Sequence, residues 1–166
     1  MMEGVISHVD FTVKNSRYDL QRIKRKKSVG FISPTFPFFE NEQEVLIIKI
    51  LCDVASELGL KIKAFNFCGD HVHAIVVSDN PDISKKIGLW KGKSAYLYNI
   101  QYQSKNPVKI TQNLWAKSYY QKTITSKNEQ EKQISYINNN RKKHGLAPLS
   151  KLSANIVHAL IQDKDE

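Results

Sequence analysis

The sequence predicts an α+β protein: a ferredoxin-like βαββαβ antiparallel sheet with its helices on one face, and an added C-terminal helix that carries a tyrosine. Three patterns predict it. Residues 5–14 alternate between apolar and polar side chains. Residues 40–58 carry apolar residues at three- and four-residue spacing. Residues 60–78 hold two strand-like runs divided by Gly69-Asp70.

Each element has its own warrant. In VISHVDFTVK (5–14), Val5, Val9, Phe11 and Val13 share one strand face, and Ile6, His8, Asp10, Thr12 and Lys14 share the other. Residues 17–38 have no clear period. They hold the run Lys24-Arg25-Lys26-Lys27, then Gly30, Pro34 and Pro37, and read as a long basic connection. In 40–58, Val45, Ile48, Cys52, Ala55 and Leu58 form a helical stripe widened by Leu51, with Gly59 at the helix end. LKIKAFNFC (60–68) and HVHAIVVS (71–78) make a hairpin. The second strand is apolar on both faces beyond its histidines, so it belongs inside the sheet.

A second helix is expected from Pro81-Asp82 to about residue 103, with Ile83, Ile87, Trp90 and Leu97 on one side. Lys85, Lys86, Lys91 and Lys93 lie largely off that stripe. A loop follows over 104–113, then a fourth strand over 114–124. Ser126 and Glu129 have capping-box spacing and start a third helix to about His144, closed by Gly145 and Pro148. A short last helix is expected over 150–162, around Leu152, Ile156 and Leu160. The domain reading is one unit over 1–146 with a C-terminal extension over 147–166.

Composition narrows the partners. The 166 residues carry a formal net charge of +9, which suits a polyanion such as nucleic acid or an anionic surface. No apolar run approaches the roughly 20 residues of a membrane span, so no membrane is expected. Glu3, His8 and Asp10 interrupt any signal-peptide pattern. Cys52 and Cys68 read as reduced, buried thiols of a cytosolic protein.

Two residue pairs can carry chemistry. His71 and His73 are i and i+2 on one strand, so their imidazoles point to the same face with Cα atoms roughly 6.5–7 Å apart. His8 and Asp10 join that face if the first strand is the neighbour. Tyr136 and Asn140 are i and i+4 on the third helix, which Ile134 and Ile137 anchor; such pairs have Cβ atoms about 5–6 Å apart. Each pair also has a plain reading. The histidines can be core residues, the tyrosine a packing residue, and Asn138-Asn139-Asn140 a fraying helix end. Asp70 either orients a histidine or only makes the turn.

The stretches FNFCGDHVHAIVV (65–77) and LWAKSYYQKTITSKNEQEKQISYINNNRKKHGL (114–146) resemble the single-tyrosine HUH transposases of the insertion-sequence and REP-associated tyrosine transposase type. The histidine motif is His71-Val72-His73, and the later helix reads Tyr136-Ile137-x-x-Asn140. The resemblance covers most of residues 5–146. It implies a divalent metal, Mg2+ or Mn2+, on His71, His73 and Asn140, with Tyr136 as nucleophile. It implies cutting and rejoining of single-stranded, hairpin-bearing DNA through a 5′-phosphotyrosine. A bacterial, cytoplasmic, nucleoid-associated setting follows. Oligomeric state stays open: members of the insertion-sequence type are dimers that share sites, the REP-associated branch is often monomeric, and the thin apolar stripe of the tyrosine helix favours a homodimer.

Phosphate contacts are expected from Lys85, Lys86, Lys91 and Lys93. Lys132 and Lys142 on the tyrosine helix either assist the phenolate or only keep the helix soluble. Tyr96, Tyr98, Tyr102, Trp115, Tyr119 and Tyr120 offer stacking faces, with Trp90 and Trp115 better placed in the core. The REP-associated branch commonly has proline after the helix asparagine, where this chain has Arg141. The alternative reading is a domesticated single-strand-binding module without cutting. A third is a ferredoxin-like RNA-binding protein or ribonuclease.

Overall fold

The computed structural model describes residues 4–14, 16, 39–79, 83–105 and 114–162. The basic connection 17–38, the Pro81-Asp82 helix start and residues 106–113 of the expected loop lie outside the described residues. The elements are β1 (Val5–Thr12), α1 (Asn41–Glu57), β2 (Lys61–Phe67), β3 (His71–Ser78), α2 (Ser84–Lys105), β4 (Tyr120–Ile124), α3 (Lys127–Asn138), α4 (Asn140–Lys143) and α5 (Lys151–Gln162).

The strands form one antiparallel sheet in the order β2-β3-β1-β4. Both strands with the sharpest sequence patterns are therefore central. Gly69 makes the β2–β3 turn at φ 84°, and Gly59 ends α1 at φ 69°, conformations that cost a side chain dearly.

Strict alternation gives the sheet two different faces. Toward one side project Val9 and Phe11 of β1 with Val13 just beyond it, Ile62, Phe65 and Phe67 of β2, and Val72, Ala74 and Val76 of β3. They pack on Ile47, Ile48, Leu51, Val54 and Ala55 of α1 and on Ile83, Ile87 and Trp90 at α2. Trp90 donates its indole N–H to the Leu51 carbonyl at 2.9 Å, tying the two helices together. Phe11 lies edge-on between Trp90 and Trp115, with ring centroids 5.3 and 4.8 Å away. α5 adds Val157 and Leu160 to this core.

The opposite face carries a smaller apolar cluster, in which Ala64, Ile75 and Ile124 with Ile6 receive Ile134 and Ile137 of α3. The tyrosine helix thus lies across the sheet from α1 and α2. A register shift between Ile62 and Ala64 makes this layout work on β2. The extra residue, Lys63, reverses the phase of the strand, so Ala64 faces α3 while Phe65 and Phe67 face the main core.

Four expectations need correction. The fourth strand is limited to Tyr120–Ile124; ahead of it only an isolated bridge joins Trp115 to Val13. That bridge and the Asp10–Tyr120 pair are out of step, so the chain leaves the ladder between them. The third helix is not continuous to His144. It breaks at Asn139, whose side-chain amide folds back onto the Ser135 carbonyl at 2.9 Å. The second helix runs on to Lys105. In the last helix Leu152 is 60% exposed, and Ser153, Val157 and Leu160 form the buried side instead.

Candidate active site

β1 and β3 are neighbours in a register that sets Asp10 opposite His73 and Thr12 opposite His71. Because paired residues point to the same face, His8, Asp10, His71 and His73 share the face covered by α3. All four are buried.

Two short chains of polar contacts organise them. His71 Nδ1 donates to Asp70 Oδ1 at 2.7 Å, and its Nε2 lies 3.2 Å from Asn140 Oδ1. Asp70 therefore orients a histidine in addition to making the turn. Cys68 Sγ also donates to Asn140 Oδ1, at 3.1 Å. In the second chain His73 Nδ1 lies 3.1 Å from His8 Nε2, and His8 Nδ1 lies 3.0 Å from Gln133 Oε1. The His71 and His73 rings are 4.9 Å apart and edge-on.

The α3–α4 segment is clamped from below. Asn66 donates Nδ2 to the Ile137 carbonyl at 2.8 Å and accepts from the Phe67 N–H at 3.0 Å. Ile137 is fully buried. Past the break at Asn139, Arg141 does the corresponding work. Its Nη1 donates to Glu44 Oε2 at 3.0 Å and to the Phe67 carbonyl at 2.8 Å, and its Nε donates to the Ala147 carbonyl at 2.7 Å. Arg141 thus pins α4 to α1 and β2. Between these clamps, Asn140 is driven into the site at 0% exposure.

Tyr136 sits over the same chain's histidines. Its ring centroid is 5.7 Å from His73 and 6.3 Å from His8, and the residue is 39% exposed. Lys143 Nζ lies 4.9 Å from the ring centre, a cation–π contact. Tyr120 meets His8 edge-on at 5.8 Å.

Burial and neighbours split the imidazoles electrically. Burial works against a charged His71, but the Asp70 and Cys68 side chains outweigh it and raise its pKa to about 10. Both ring nitrogens of His71 thus face polar partners, Nδ1 toward Asp70 and Nε2 toward Asn140. Burial lowers His73 to about 2, reinforced by the charges of His71, His8, His144 and Lys143. His8 is lowered by burial, opposed by the Gln133 bond and helped by Lys122.

The lysines are spread unevenly. Lys91 is corrected: it is buried, and its ammonium donates to the Ala116 and Lys117 carbonyls at 2.8 and 3.1 Å, so it offers nothing to a phosphate. Lys93 pairs with Glu57. Lys85 and Lys86 are exposed at the start of α2, on the side of the sheet away from α3. Lys132 and Lys142 are exposed on the α3–α4 segment. Among the aromatic residues, Tyr96 and Tyr120 are open, whereas Tyr98 is buried.

Sequence reasoning missed Asn66, Cys68, Gln133, Lys143 and His144, whose ring is 5.1 Å from His71. Only two left a usable signal. Gln133 precedes Tyr136 by three residues and Lys143 follows it by seven, so both project near its helix face.

The donor set fits a divalent cation. His73 Nε2 is buried without a hydrogen-bond partner among the described residues, and the Asn140 Oδ1 oxygen lies beside His71 Nε2. Among the described residues no group of three or more His, Cys, Asp or Glu side chains could hold a metal, so the set depends on the amide as third ligand. Among the same residues, no helix is long and apolar enough to cross a membrane.

A family model described as "Transposase IS200 like" matches residues 35–140. The chain superposes on a REP-associated tyrosine transposase bound to a REP hairpin, at 16% identity and a TM-score of 0.53, covering 88% of this chain and 72% of that one. It also superposes on a provisionally named transposase from Deinococcus radiodurans R1, at 22% identity and a TM-score of 0.54, covering 85% and 93%. At these identities both likenesses speak to the fold. No curated protein gives a significant sequence match.

Proposed function

The chain belongs to the family of IS200-like transposases, and from that premise we propose that it cuts and rejoins single-stranded DNA with Tyr136 as nucleophile. The observation that carries this is the assembly of Tyr136, His71, His73 and Asn140 in a single chain. The Tyr136 oxygen attacks phosphorus, the bond from phosphorus to the 3′-oxygen breaks, and the products are a 5′-phosphotyrosine and a free 3′-hydroxyl. The phenolic proton goes to solvent, the leaving 3′-oxygen takes a proton from solvent, and rejoining is the reverse.

His71, His73 and Asn140 would hold Mg2+ or Mn2+, which supplies polarisation of the scissile phosphate when bound. Asp70 and Cys68 hold two of those ligands in place. Tyr120 offers a half-exposed ring beside His8 for an unpaired base. Lys132, Lys142 and Lys143 serve phosphates near the tyrosine, while Lys85 and Lys86 serve a segment reaching the far face of the sheet. A hairpin in the substrate is supported by the REP hairpin bound to the structural neighbour. In the domain reading, 1–146 is the catalytic unit and 147–166 its extension. A homodimer in this reading pairs two complete sites, since each tyrosine meets its own histidines.

The test uses hairpin-bearing single-stranded oligonucleotides with Mn2+, reading the covalent adduct on a denaturing gel. The wild type forms the adduct. Tyr136→Phe forms none and still binds. An adduct with Tyr136→Phe would move the nucleophile elsewhere, with Tyr120 and Tyr119 next. Binding without an adduct in any metal would leave a single-strand-binding module.

A further inference from the structure

We infer that His8 and Gln133 are positioning residues: together they lock His73 in the form that carries its proton on Nδ1, and so keep the Nε2 lone pair bare for a divalent cation. The inference rests on the assignment of His73 as a ligand.

The proton order follows from the contacts. Gln133 Oε1 can only accept, so at 3.0 Å the proton lies on His8 Nδ1. With that proton on Nδ1, the His8 ring presents a lone pair at Nε2 toward His73. That lone pair accepts from His73 Nδ1–H at 3.1 Å. The Asp10 carboxylate, 3.8 Å from His73 Nδ1, favours a proton on the same atom. His73 Nε2 is left bare, and it is the buried ring nitrogen without a hydrogen-bond partner among the described residues.

The opposite order is worse on two counts. It would set the lone pairs of His8 Nδ1 and Gln133 Oε1 against each other at 3.0 Å. It would also bury an N–H on His73 Nε2 with no acceptor.

The lock comes from the tyrosine helix itself. Gln133 lies three residues before Tyr136, so one docking event delivers both the nucleophile and the acceptor that fixes the histidine. Helix position and ligand readiness are thereby coupled. An undocked helix releases His8, and with it the proton order on His73.

The test is 15N NMR of the imidazoles in the metal-free full chain, alongside Mn2+ affinity by electron paramagnetic resonance. The wild type should show His73 protonated at Nδ1. Gln133→Leu should give a mixture of His73 tautomers and weaken Mn2+ binding by about 10-fold, the lower end for loss of an outer-shell partner. Gln133→Glu, which retains an acceptor, should restore both. His8→Gln provides a second variant that keeps an acceptor for His73 Nδ1–H, and it should preserve the tautomer. A wild-type His73 protonated at Nε2, or a Gln133→Leu protein with tautomer and affinity unchanged, overturns the lock. A wild type with the expected tautomer that binds no Mn2+ overturns the ligand assignment beneath it, and the two failures are read from different signals.

Discussion

Replacing Glu44 by glutamine removes one charge from a pair that holds α4 in place. The Glu44 and Arg141 side chains are only 12% and 11% exposed, with Oε2 and Nη1 3.0 Å apart. At an effective dielectric near 20, such a pair attracts by roughly 5–6 kcal/mol, from which the cost of drying the carboxylate must be subtracted. Breaking a buried pair by removing one partner costs about 3–5 kcal/mol. Arg141 keeps its bonds to the Phe67 and Ala147 carbonyls, which argues for the lower end. A loss of about 3 kcal/mol in a chain of this size lowers Tm by roughly 6–12 °C. Thermal unfolding followed by circular dichroism reads the shift. The double variant Glu44→Met with Arg141→Met should recover much of it, because an apolar pair replaces an ion pair at little cost. A fall below about 2 °C for Glu44→Gln would show the pair to be solvated in solution, and would refute the claim that it seats Asn140.

Further consequences can be measured on the same material. Asn66→Ala strips the Ile137 carbonyl and the Phe67 N–H of buried partners, and should cost about 1–3 kcal/mol in denaturant unfolding; an unchanged midpoint would mean water replaces the amide. Lys91→Met should lower Tm yet leave the salt dependence of DNA binding unaltered, whereas a phosphate contact would flatten that slope by about 0.7. With His71 held near 10, a cation must displace its proton, so Mn2+ affinity should rise about tenfold per pH unit between about pH 7 and 9, and a flat profile would remove His71 from the ligand set. The sign for stability is opposite in the metal-free protein. The folded pKa lies above the ordinary histidine value of 6.5, so the contribution of His71 is complete below pH 6.5 and is lost as pH rises through about 10.

Much of the fold and part of the site were legible because a strand's period is short and rigid. His71 and His73 had to share a face once β3 was recognised, and His8 and Asp10 joined them once β1 proved its neighbour. Helix α3 was less transparent. An i and i+4 spacing places Tyr136 and Asn140 on one helix face, yet the break at Asn139 leaves the tyrosine 39% exposed and the asparagine fully buried. Three consecutive asparagines hinted at a weak helix without saying where it would turn. Lys91 looked like any solvated lysine, because its acceptors come from a segment 25 residues downstream. Asn66 and Cys68 were silent for the same reason: their partners, Ile137 and Asn140, are more than 70 residues away. The fourth strand was overextended because 114–124 has strand composition throughout, while pairing depends on a register that composition does not encode.

The alternation along β1 and β3 also acts as a proofreading device. A slip of one residue in β3 would turn Val72, Ala74 and Val76 toward α3 and drive both imidazoles into the packed core beneath α1 and α2. Such a molecule would lose its fold and its chemistry together. The sheet therefore supports no well-folded but inert register isomer, and any copy compact enough to survive cellular quality control already carries its histidines on the working side.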